Sequence, residues 1–216
     1  NIKNDVNFAL KNADNMIIKA KEKNTKILID AEDYLIQNEI NNITDILLEK
    51  HNKEQVNIFK TYQLYRNDVL PILERDLLNK NFKLGCKLVR GAYLNQDSKY
   101  GILFNNINDT HNNYNNGIKK FVELNKAGDK LICATHNSDS IELALKYDKT
   151  NIEFAQLMGM SDNLSTKLVS NNKIVYKYLP YGNFKETLPY LIRRLYENYP
   201  MIMNILKWIY KKSLLI

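Results

Sequence analysis

The chain contains little cysteine, glycine or proline, and it has no long hydrophobic run. Its two cysteines, Cys86 and Cys133, lie inside apolar runs and form no CxxC pair, which predicts reduced, buried thiols and argues against a disulfide framework or a zinc site. Seven glycines and four prolines in 216 residues argue against long disordered linkers. No stretch approaches the ~20 continuous apolar residues of a membrane span. The composition therefore favours one folded domain with a substantial core.

Sequence signatures of several common enzyme classes are absent as well. There is no GxGxxG turn, no P-loop and no GxSxG motif. The three histidines have no metal-ligand spacing, so we expect no metal site. A formal charge of +7 can indicate a nucleic-acid partner. Because no basic run is interleaved with aromatic residues, we interpret the charge as lysines on solvated faces and expect no nucleic-acid partner.

The sequence does contain an alternation of short apolar runs and longer stretches with helical periodicity. The short runs predict buried strands at Lys26–Asp30, Val56–Gln63, Cys86–Tyr93, Lys130–Asn137, Ile152–Leu157 and Ile174–Tyr181. The longer stretches predict helices before Lys26 and at Ile36–Lys50, Val69–Asn79, Tyr114–Asn125, Ser140–Tyr147 and Leu188–Asn198. Such alternation is typical of parallel βαβ units, which occur in open doubly wound sheets and in (β/α)8 barrels.

Polar side chains end nearly every predicted strand, and this favours the barrel. Examples are Asp30, Gln63, Arg90 and His136. Barrel enzymes place their chemistry at the carboxyl ends of many strands around one mouth. Six predicted strands are about two βα units short of a barrel, so we expect an α/β, TIM-barrel-like fold that lacks its first strands. We expect this partial catalytic barrel over residues 1–200, followed by a helical tail over 201–216.

The last predicted helix carries a polar face that is suited to a carboxylate. Tyr190, Arg193, Arg194 and Glu197 fall at offsets of zero, three, four and seven and share that face. The face is either solvated, with an Arg193–Glu197 ion pair of little energetic weight, or a bidentate clamp for a small carboxylate such as an amino acid. Both interpretations remain open from the residues alone.

The run from Lys87 to Tyr93 (KLVRGAY) is a second candidate for chemistry. Lys87 and Arg90 place two cations inside an otherwise apolar buried run, where an unpaired charge is costly. Gly91 and Ala92 have little side chain, which would let a flat ligand approach the backbone.

Two further strand ends carry polar groups with both structural and functional interpretations. Thr135, His136 and Asn137 follow one strand and can all form hydrogen bonds. Asp30 and Glu32 are either an acid–base pair or the lead into a capped helix. We assign no role to His51 and His111.

These segments, in this order, resemble the proline dehydrogenase (proline oxidase) family, in particular the C-terminal part of its mitochondrial, single-function type. The similarity runs from Lys26 to Asn198. The segments that carry it are Asp30–Glu32 (DAE), Thr61–Tyr65 (TYQLY), Gly85–Leu94 (GCKLVRGAYL), Ala134–Asn137 (ATHN), Phe154–Asp162 (FAQLMGMSD), Val175–Gly182 (VYKYLPYG) and Glu186–Asn198 (ETLPYLIRRLYEN).

The resemblance implies an FAD-dependent oxidoreductase with a distorted (β/α)8 barrel. It implies oxidation of L-proline to 1-pyrroline-5-carboxylate by hydride transfer to the flavin N5, which is the first step of proline catabolism. The electrons would pass to a quinone. The expected location is mitochondrial, on the matrix side of the inner membrane, with peripheral membrane association.

The resemblance also assigns roles to particular residues. Expected to bind or order the substrate are Asp30, Ala92, Tyr93, Leu157, Tyr178, Tyr190, Arg193 and Arg194, the two arginines as the carboxylate clamp. Expected to hold the flavin are Gln63, Lys87, Arg90, Thr135, His136, Asn137 and Glu197.

The sequence departs from the family pattern in two places. A family lysine on an early strand, expected to pair with the aspartate at position 30, has no counterpart, in agreement with missing first strands. Leu94 stands where bacterial bifunctional members often carry tryptophan. Two alternatives stay open: hydroxyproline dehydrogenase, against which Tyr178 argues because its ring would crowd a 4-hydroxyl group, and a truncated, non-catalytic copy.

The tail Met201–Ile216 (MIMNILKWIYKKSLLI) predicts a last helix that packs on the barrel. The alternative is an interfacial helix on an anionic membrane. Changing Lys207, Lys211 and Lys212 together to Glu should therefore leave co-sedimentation with anionic liposomes unchanged. Loss of liposome binding in this triple variant would favour the interfacial helix.

Overall fold

The computed structural model describes residues 6–78, 80–147, 151–185, 187–189 and 191–192. The chain divides into two compact units, Asn1–Lys177 and Tyr178–Ile216. The strands are β1 (Ile27–Ile29), β2 (Ile58–Gln63), β3 (Gly85–Val89), β4 (Lys130–Ala134), β5 (Ile152–Leu157) and β6 (Val175–Tyr178). The α-helices are α1 (Val6–Glu22), α2 (Tyr34–His51), α3 (Val69–Leu78), α4 (Leu94–Asp97), α5 (Ile107–Leu124), α6 (Ser138–Leu145) and α7 (Asp162–Ser170), and a 3-10 turn spans Ser98–Tyr100.

The strands lie side by side in the order in which they occur along the chain, β1 to β6. Strands β1 to β5 pair in parallel, with registers such as Gln63 opposite Val89 and Cys133 opposite Phe154. A doubly wound sheet reverses its strand order at a switch point, and this sheet has no reversal. The prediction of an α/β, barrel-like sheet is therefore confirmed, and the described strands form half of a parallel barrel.

One face of the sheet packs against the helices and forms the main core. Alternate strand residues such as Ile58, Leu88, Leu131 and Phe154 are at most 1% exposed on this face. Cys86 and Cys133 are both free and buried there, as predicted. Burial of this face is the main force that holds the helices on the sheet.

The opposite face of the sheet lines the lumen and carries a polar cluster at its amino-terminal end. The Lys26 ammonium donates hydrogen bonds to Glu153 Oε1 at 3.0 Å and to the Tyr176 hydroxyl at 3.0 Å. The Tyr176 hydroxyl in turn donates to Glu153 Oε2 at 2.7 Å, and the Lys130 ammonium lies 3.5 Å from Glu153. Lys26 also lies over the ring of Phe59, with its ammonium 5.7 Å from the centroid.

This cluster requires a strongly curved sheet. Lys26 directly precedes β1, Glu153 lies in β5, and β2, β3 and β4 lie between those strands. Four strand spacings of ~4.8 Å would separate the two backbones by about 19 Å in a flat sheet, which is beyond the combined reach of a lysine and a glutamate. The contact therefore joins the two sides of the half-barrel across its lumen.

Most predicted elements are found, and their boundaries shift for local reasons. Strand β3 ends at Val89 rather than at Tyr93 because Gly91 adopts a φ of 143°, which takes the chain out of the sheet. Helix α5 begins at Ile107, earlier than predicted, because Asn106 caps it by accepting from the Asp109 amide at 2.9 Å. Helices α4 and α7 were not among the predicted elements. Most of the predicted helix Leu188–Asn198, the tail Met201–Ile216 and the predicted boundary at residue 200 lie outside the described residues.

Helix α1 is held against α2 by charged side chains. Asp14 accepts hydrogen bonds from Lys50 at 2.8 Å and from the His51 ring at 2.6 Å. These hydrogen bonds lower the pKa of Asp14 below its usual value.

Among the described residues, no helix has the length and apolarity needed to cross a membrane.

The Glu153→Gln variant should weaken the half-barrel. It leaves the Lys26 ammonium in the lumen without its carboxylate, and breaking a buried ion pair costs roughly 3–5 kcal/mol. The Lys26 side chain is 29% exposed, so we expect a smaller loss in the free energy of unfolding, about 2 kcal/mol. Urea denaturation measures it, with Glu123→Gln on the surface of α5 as a control of near-zero effect. Equal stability of both variants would contradict a bracing role for Glu153.

Candidate active site at the carboxyl ends of the strands

The residues predicted from the strand ends lie along one rim of the half-barrel. Hydrogen bonds continue past the strands, from the Tyr65 amide to the Arg90 carbonyl at 2.7 Å and from the Thr135 amide to the Ala155 carbonyl at 3.2 Å. This pairing aligns the ends of β2, β3, β4 and β5. The rim carries Asp30, Gln63, Arg90, Thr135, His136, Asn137 and Leu157, and Lys87 lies two residues before the end of β3.

Lys87 and Asp30 form an ion pair between β3 and the end of β1. The Lys87 side chain is 15% exposed and the Asp30 side chain 62% exposed, so Lys87 rises from the lumen to meet a solvated carboxylate. Asp30 is not the cap of α2, since Asp33 accepts from the Leu35 amide at 2.9 Å and fills that role. Asp30 thus does not cap α2, and its pairing with Lys87 is a contact that neither interpretation of the sequence predicted.

Arg90 is a half-buried cation whose described partners are all neutral. Its Nε donates to His111 Nδ1 at 2.8 Å, and its two terminal nitrogens donate to Thr135 Oγ1 at 2.7 Å and Ser140 Oγ at 3.0 Å. The guanidinium also lies over the Tyr114 ring, 4.4 Å from its centroid. Burial lowers the pKa of Arg90 from its usual value. No carboxylate among the described residues pairs with Arg90, so none of these residues compensates its charge.

Thr135 and Asn137 form hydrogen bonds at the start of α6. Thr135 Oγ1 accepts from Arg90 and also from the Asn137 amide at 3.1 Å. Asn137 caps α6, because its side-chain oxygen accepts from the Ser140 amide at 2.9 Å. This cap also fixes Ser140 beside Arg90. Both residues are therefore at the rim, as predicted, and Thr135 contacts Arg90 directly.

His136 is a neutral imidazole with one unused donor. Its Nε2 accepts from the Leu157 amide at 3.2 Å, so the ring hydrogen is on Nδ1. Burial, followed by the charge of Lys177, lowers the pKa of His136 below its usual value and keeps it neutral at pH 7. Nδ1 has no hydrogen-bond partner among the described residues. A buried donor of this kind is suited to the acceptor atoms of a bound heterocycle.

The remaining predicted site residues of the first unit are Gln63, Ala92, Tyr93 and Leu157. Gln63 is buried and donates to the Glu32 carbonyl at 2.8 Å. Ala92 is exposed in the turn after β3, and Tyr93 directly precedes α4. Leu157 ends β5 and contributes its amide to His136.

The remaining predicted residues belong to the second unit or lie outside the description. Tyr178 ends β6, belongs to the second unit and is 48% exposed. Tyr190, Arg193, Arg194 and Glu197 lie outside the described residues.

Gly91 is required for a reason that differs from the predicted one. Its φ of 143° lies in the region that favours glycine. A methyl group at this position would overlap the ring of Tyr65, whose hydroxyl donates to Asp97 Oδ2 at 2.6 Å. The space beside the Gly91 Cα is thus occupied by Tyr65, and close approach of a ligand is not needed to explain this glycine.

Sequence reasoning missed the residues that support Arg90 from the helices. His111 and Tyr114 on α5 and Ser140 on α6 contact its guanidinium. Their only signal in the sequence is the three-residue step that places His111 and Tyr114 on one face of α5. Which face of α5 meets the end of β3 depends on tertiary packing.

Comparison with known proteins assigns the family. The described strands already define an α/β half-barrel with an uncompensated cation at its rim. The model of the proline dehydrogenase family matches residues 2–202. The chain belongs to the proline dehydrogenase family, which is a family of oxidoreductases.

Curated relatives extend this result. The chain is 37% identical over 200 residues to proline dehydrogenase 1, mitochondrial, of Dictyostelium discoideum, covering 82% of this chain and 35% of that protein. It is 35% identical over 207 residues to proline dehydrogenase 2, mitochondrial, of Arabidopsis thaliana, covering 86% and 44%. It is 31% identical over 209 residues to hydroxyproline dehydrogenase of Xenopus laevis, covering 87% and 45%. The chain thus spans less than half the length of these curated relatives.

Solved structures agree on the fold. Proline utilization A (PutA) from Bradyrhizobium japonicum superposes with a TM-score of 0.77 at 23% identity, covering 88% of this chain and 21% of that one. PutA from Bdellovibrio bacteriovorus gives a TM-score of 0.74 at 20% identity, covering 83% and 20%. These similarities confirm the barrel-like architecture.

Replacing Gly91 by alanine should destabilise the rim. The new methyl group must displace the Tyr65 ring and hold a strained φ, and overpacking costs typically ~1–3 kcal/mol on top of the strain. Gly101→Ala is a matched control, because Gly101 has a φ of 67° and no atom near its missing Cβ, so only a strain of about 1–2 kcal/mol is expected. Urea midpoints measure the difference. Equal losses in the two variants would show that Tyr65 does not constrain position 91.

Proposed function

We propose that this chain carries part of an FAD-dependent site that oxidises L-proline to 1-pyrroline-5-carboxylate. The observation that carries the proposal is Arg90, a half-buried cation with three neutral hydrogen-bond partners, at the rim of a barrel of this family. Such a cation is suited to an anionic cofactor or to the charge that a flavin gains on reduction.

The described residues fit a flavin on two further grounds. Lys87 within β3 and Arg90 directly after it place two cations on the same strand segment, and FAD carries a pyrophosphate and an acceptor-rich ring. His136 offers the hydrogen on Nδ1, which has no partner among the described residues. We infer that Gln63, Lys87, Arg90, Thr135, His136, Asn137 and Glu197 hold the cofactor.

We infer the substrate contacts from the family resemblance. Arg193 and Arg194 are adjacent on the last helix predicted from the sequence, and their planar guanidinium groups suit a bidentate grip on the proline carboxylate. Residues proposed to surround the ring or order the site are Asp30, Ala92, Tyr93, Leu157, Tyr178 and Tyr190.

The proposed roles of the cofactor and of the site residues follow from their chemistry. Bound FAD supplies a two-electron acceptor for the hydride that leaves the proline carbon next to nitrogen. The arginine clamp fixes the orientation of the substrate, and the ring-lining residues exclude water from it. Asp30 holds the Lys87 ammonium at the mouth of the barrel. The amine nitrogen of proline loses its proton as the carbon–nitrogen double bond forms.

Hydroxyproline is the second candidate substrate, because a relative named hydroxyproline dehydrogenase is 31% identical to this chain. We favour proline because Tyr178 would crowd a 4-hydroxyl group. By analogy with relatives named as mitochondrial, we also propose a mitochondrial location. A quinone acceptor and a site on the matrix side of the inner membrane complete the proposal.

The first experiment mixes the purified chain with FAD under anaerobic conditions and adds L-proline or trans-4-hydroxyproline. We expect retention of the flavin on gel filtration, then loss of its visible absorbance with L-proline and slower loss with hydroxyproline. Arg90→Gln should weaken flavin retention at least about tenfold, since a hydrogen bond from a charged group contributes ~1.5–3 kcal/mol. Lys119→Gln, at an exposed lysine of α5, is the control.

Each outcome separates the alternatives. Faster bleaching with hydroxyproline would overturn the choice of proline. Flavin retention without bleaching by either substrate would favour a truncated, non-catalytic copy. Failure to retain flavin would overturn FAD binding by this chain alone, and equal retention by Arg90→Gln and Lys119→Gln would remove Arg90 from the cofactor site.

A further inference from the structure

The contact between His111 and Arg90 constrains both side chains. An arginine Nε–H can only donate, so His111 Nδ1 must be unprotonated and must accept at 2.8 Å. The imidazole therefore carries its hydrogen on Nε2 and is neutral. With Thr135 and Ser140 on the two terminal nitrogens, His111 completes a set of three acceptors that fixes the plane of the guanidinium.

We propose that His111 is a positioning residue that orients Arg90 for the cofactor while leaving its positive charge uncompensated. This inference rests on the proposed function, in which Arg90 holds the flavin. A carboxylate at the same position would orient Arg90 equally well but would neutralise it. A neutral imidazole supplies direction without an opposing charge.

The surroundings of His111 keep it in the accepting form. Two charged groups face its ring: Arg90 after β3, and Asp139 in the first turn of α6. Burial, then the charge of Arg90, lower the pKa of His111 from its usual 6.5, and Asp139 opposes them. The ring is thus neutral at pH 7 and gains a proton only as the pH falls below about 6.5.

Protonation of His111 would reverse its role. Nδ1 would become a donor and could no longer accept from Arg90, and two cations would face each other at hydrogen-bond distance. His111 would then no longer hold the Arg90 guanidinium in its plane. We therefore expect the affinity for the cofactor to fall in acid, through a group that does not itself touch the flavin.

Four proteins test this expectation through the dissociation constant of FAD, measured by quenching of flavin fluorescence. In the unaltered chain the affinity should fall about tenfold between about pH 7.5 and about pH 5.5. His111→Gln keeps an acceptor that does not titrate, so its affinity should vary less with pH than that of the unaltered chain, and the variation that remains is expected from His136. His111→Glu should bind FAD about tenfold more weakly than His111→Gln at about pH 7.5. The control His51→Gln, whose ring pairs with Asp14 between α1 and α2, should follow the unaltered chain.

Two results would overturn the proposal in this assay. One is a pH profile of His111→Gln that matches that of the unaltered chain. The other is equal FAD affinity of His111→Gln and His111→Glu.

A second measurement needs no cofactor and separates this inference from the proposed function. The nitrogen-15 signal of Arg90 Nε–H should shift with a midpoint below about 6.5 in the unaltered chain and should stay constant in His111→Gln. If the chain retains no FAD, the proposed function fails, and this signal alone decides the role of His111. A signal that ignores pH in both proteins would overturn the inference.

Discussion

The curvature of the sheet is the constraint on which the rest of this structure depends. Parallel strands in sequential order bring their carboxyl ends to one side, but only curvature turns that edge into a mouth. Hydrogen bonds from Lys26 to Glu153 and Tyr176 span the lumen from β1 to β5 and β6. Because buried charges are costly unless they are paired and hydrogen-bonded, these groups are satisfied only when the sheet is bent.

Neutral groups at the rim hold the Arg90 guanidinium in place without neutralising its charge. Lys87 has a carboxylate partner in Asp30, and that partner is solvated. Arg90 has only hydroxyl, imidazole and aromatic neighbours among the described residues. The two cations thus differ in their partners: Lys87 pairs with a carboxylate, whereas Arg90 has no carboxylate partner among the described residues. In a partly buried setting this charge acts more strongly than it would in water.

Several polar residues near the rim serve the fold and the site together. Asn137 caps α6, and the same cap places Ser140 against Arg90. His136 Nε2 accepts a hydrogen bond from the Leu157 amide, and its Nδ1 has no hydrogen-bond partner among the described residues. The ring of Tyr65 fills the space that a side chain at Gly91 would occupy. A motif recognised for its chemistry can thus owe part of its composition to packing.

The sequence by itself determined the strands, most helices and the family. Apolar runs locate all six described strands, β5 with its observed bounds, because burial requires such runs whatever the topology. Only the tertiary structure decided the half-barrel brace, the ion pair of Lys87 with Asp30 and the partners of Arg90. Lys26 and Glu153 are 127 residues apart, and Arg90 and Ser140 are 50 apart. Such pairs leave no local pattern, since their contact depends on sheet curvature and on which helix face meets a strand end.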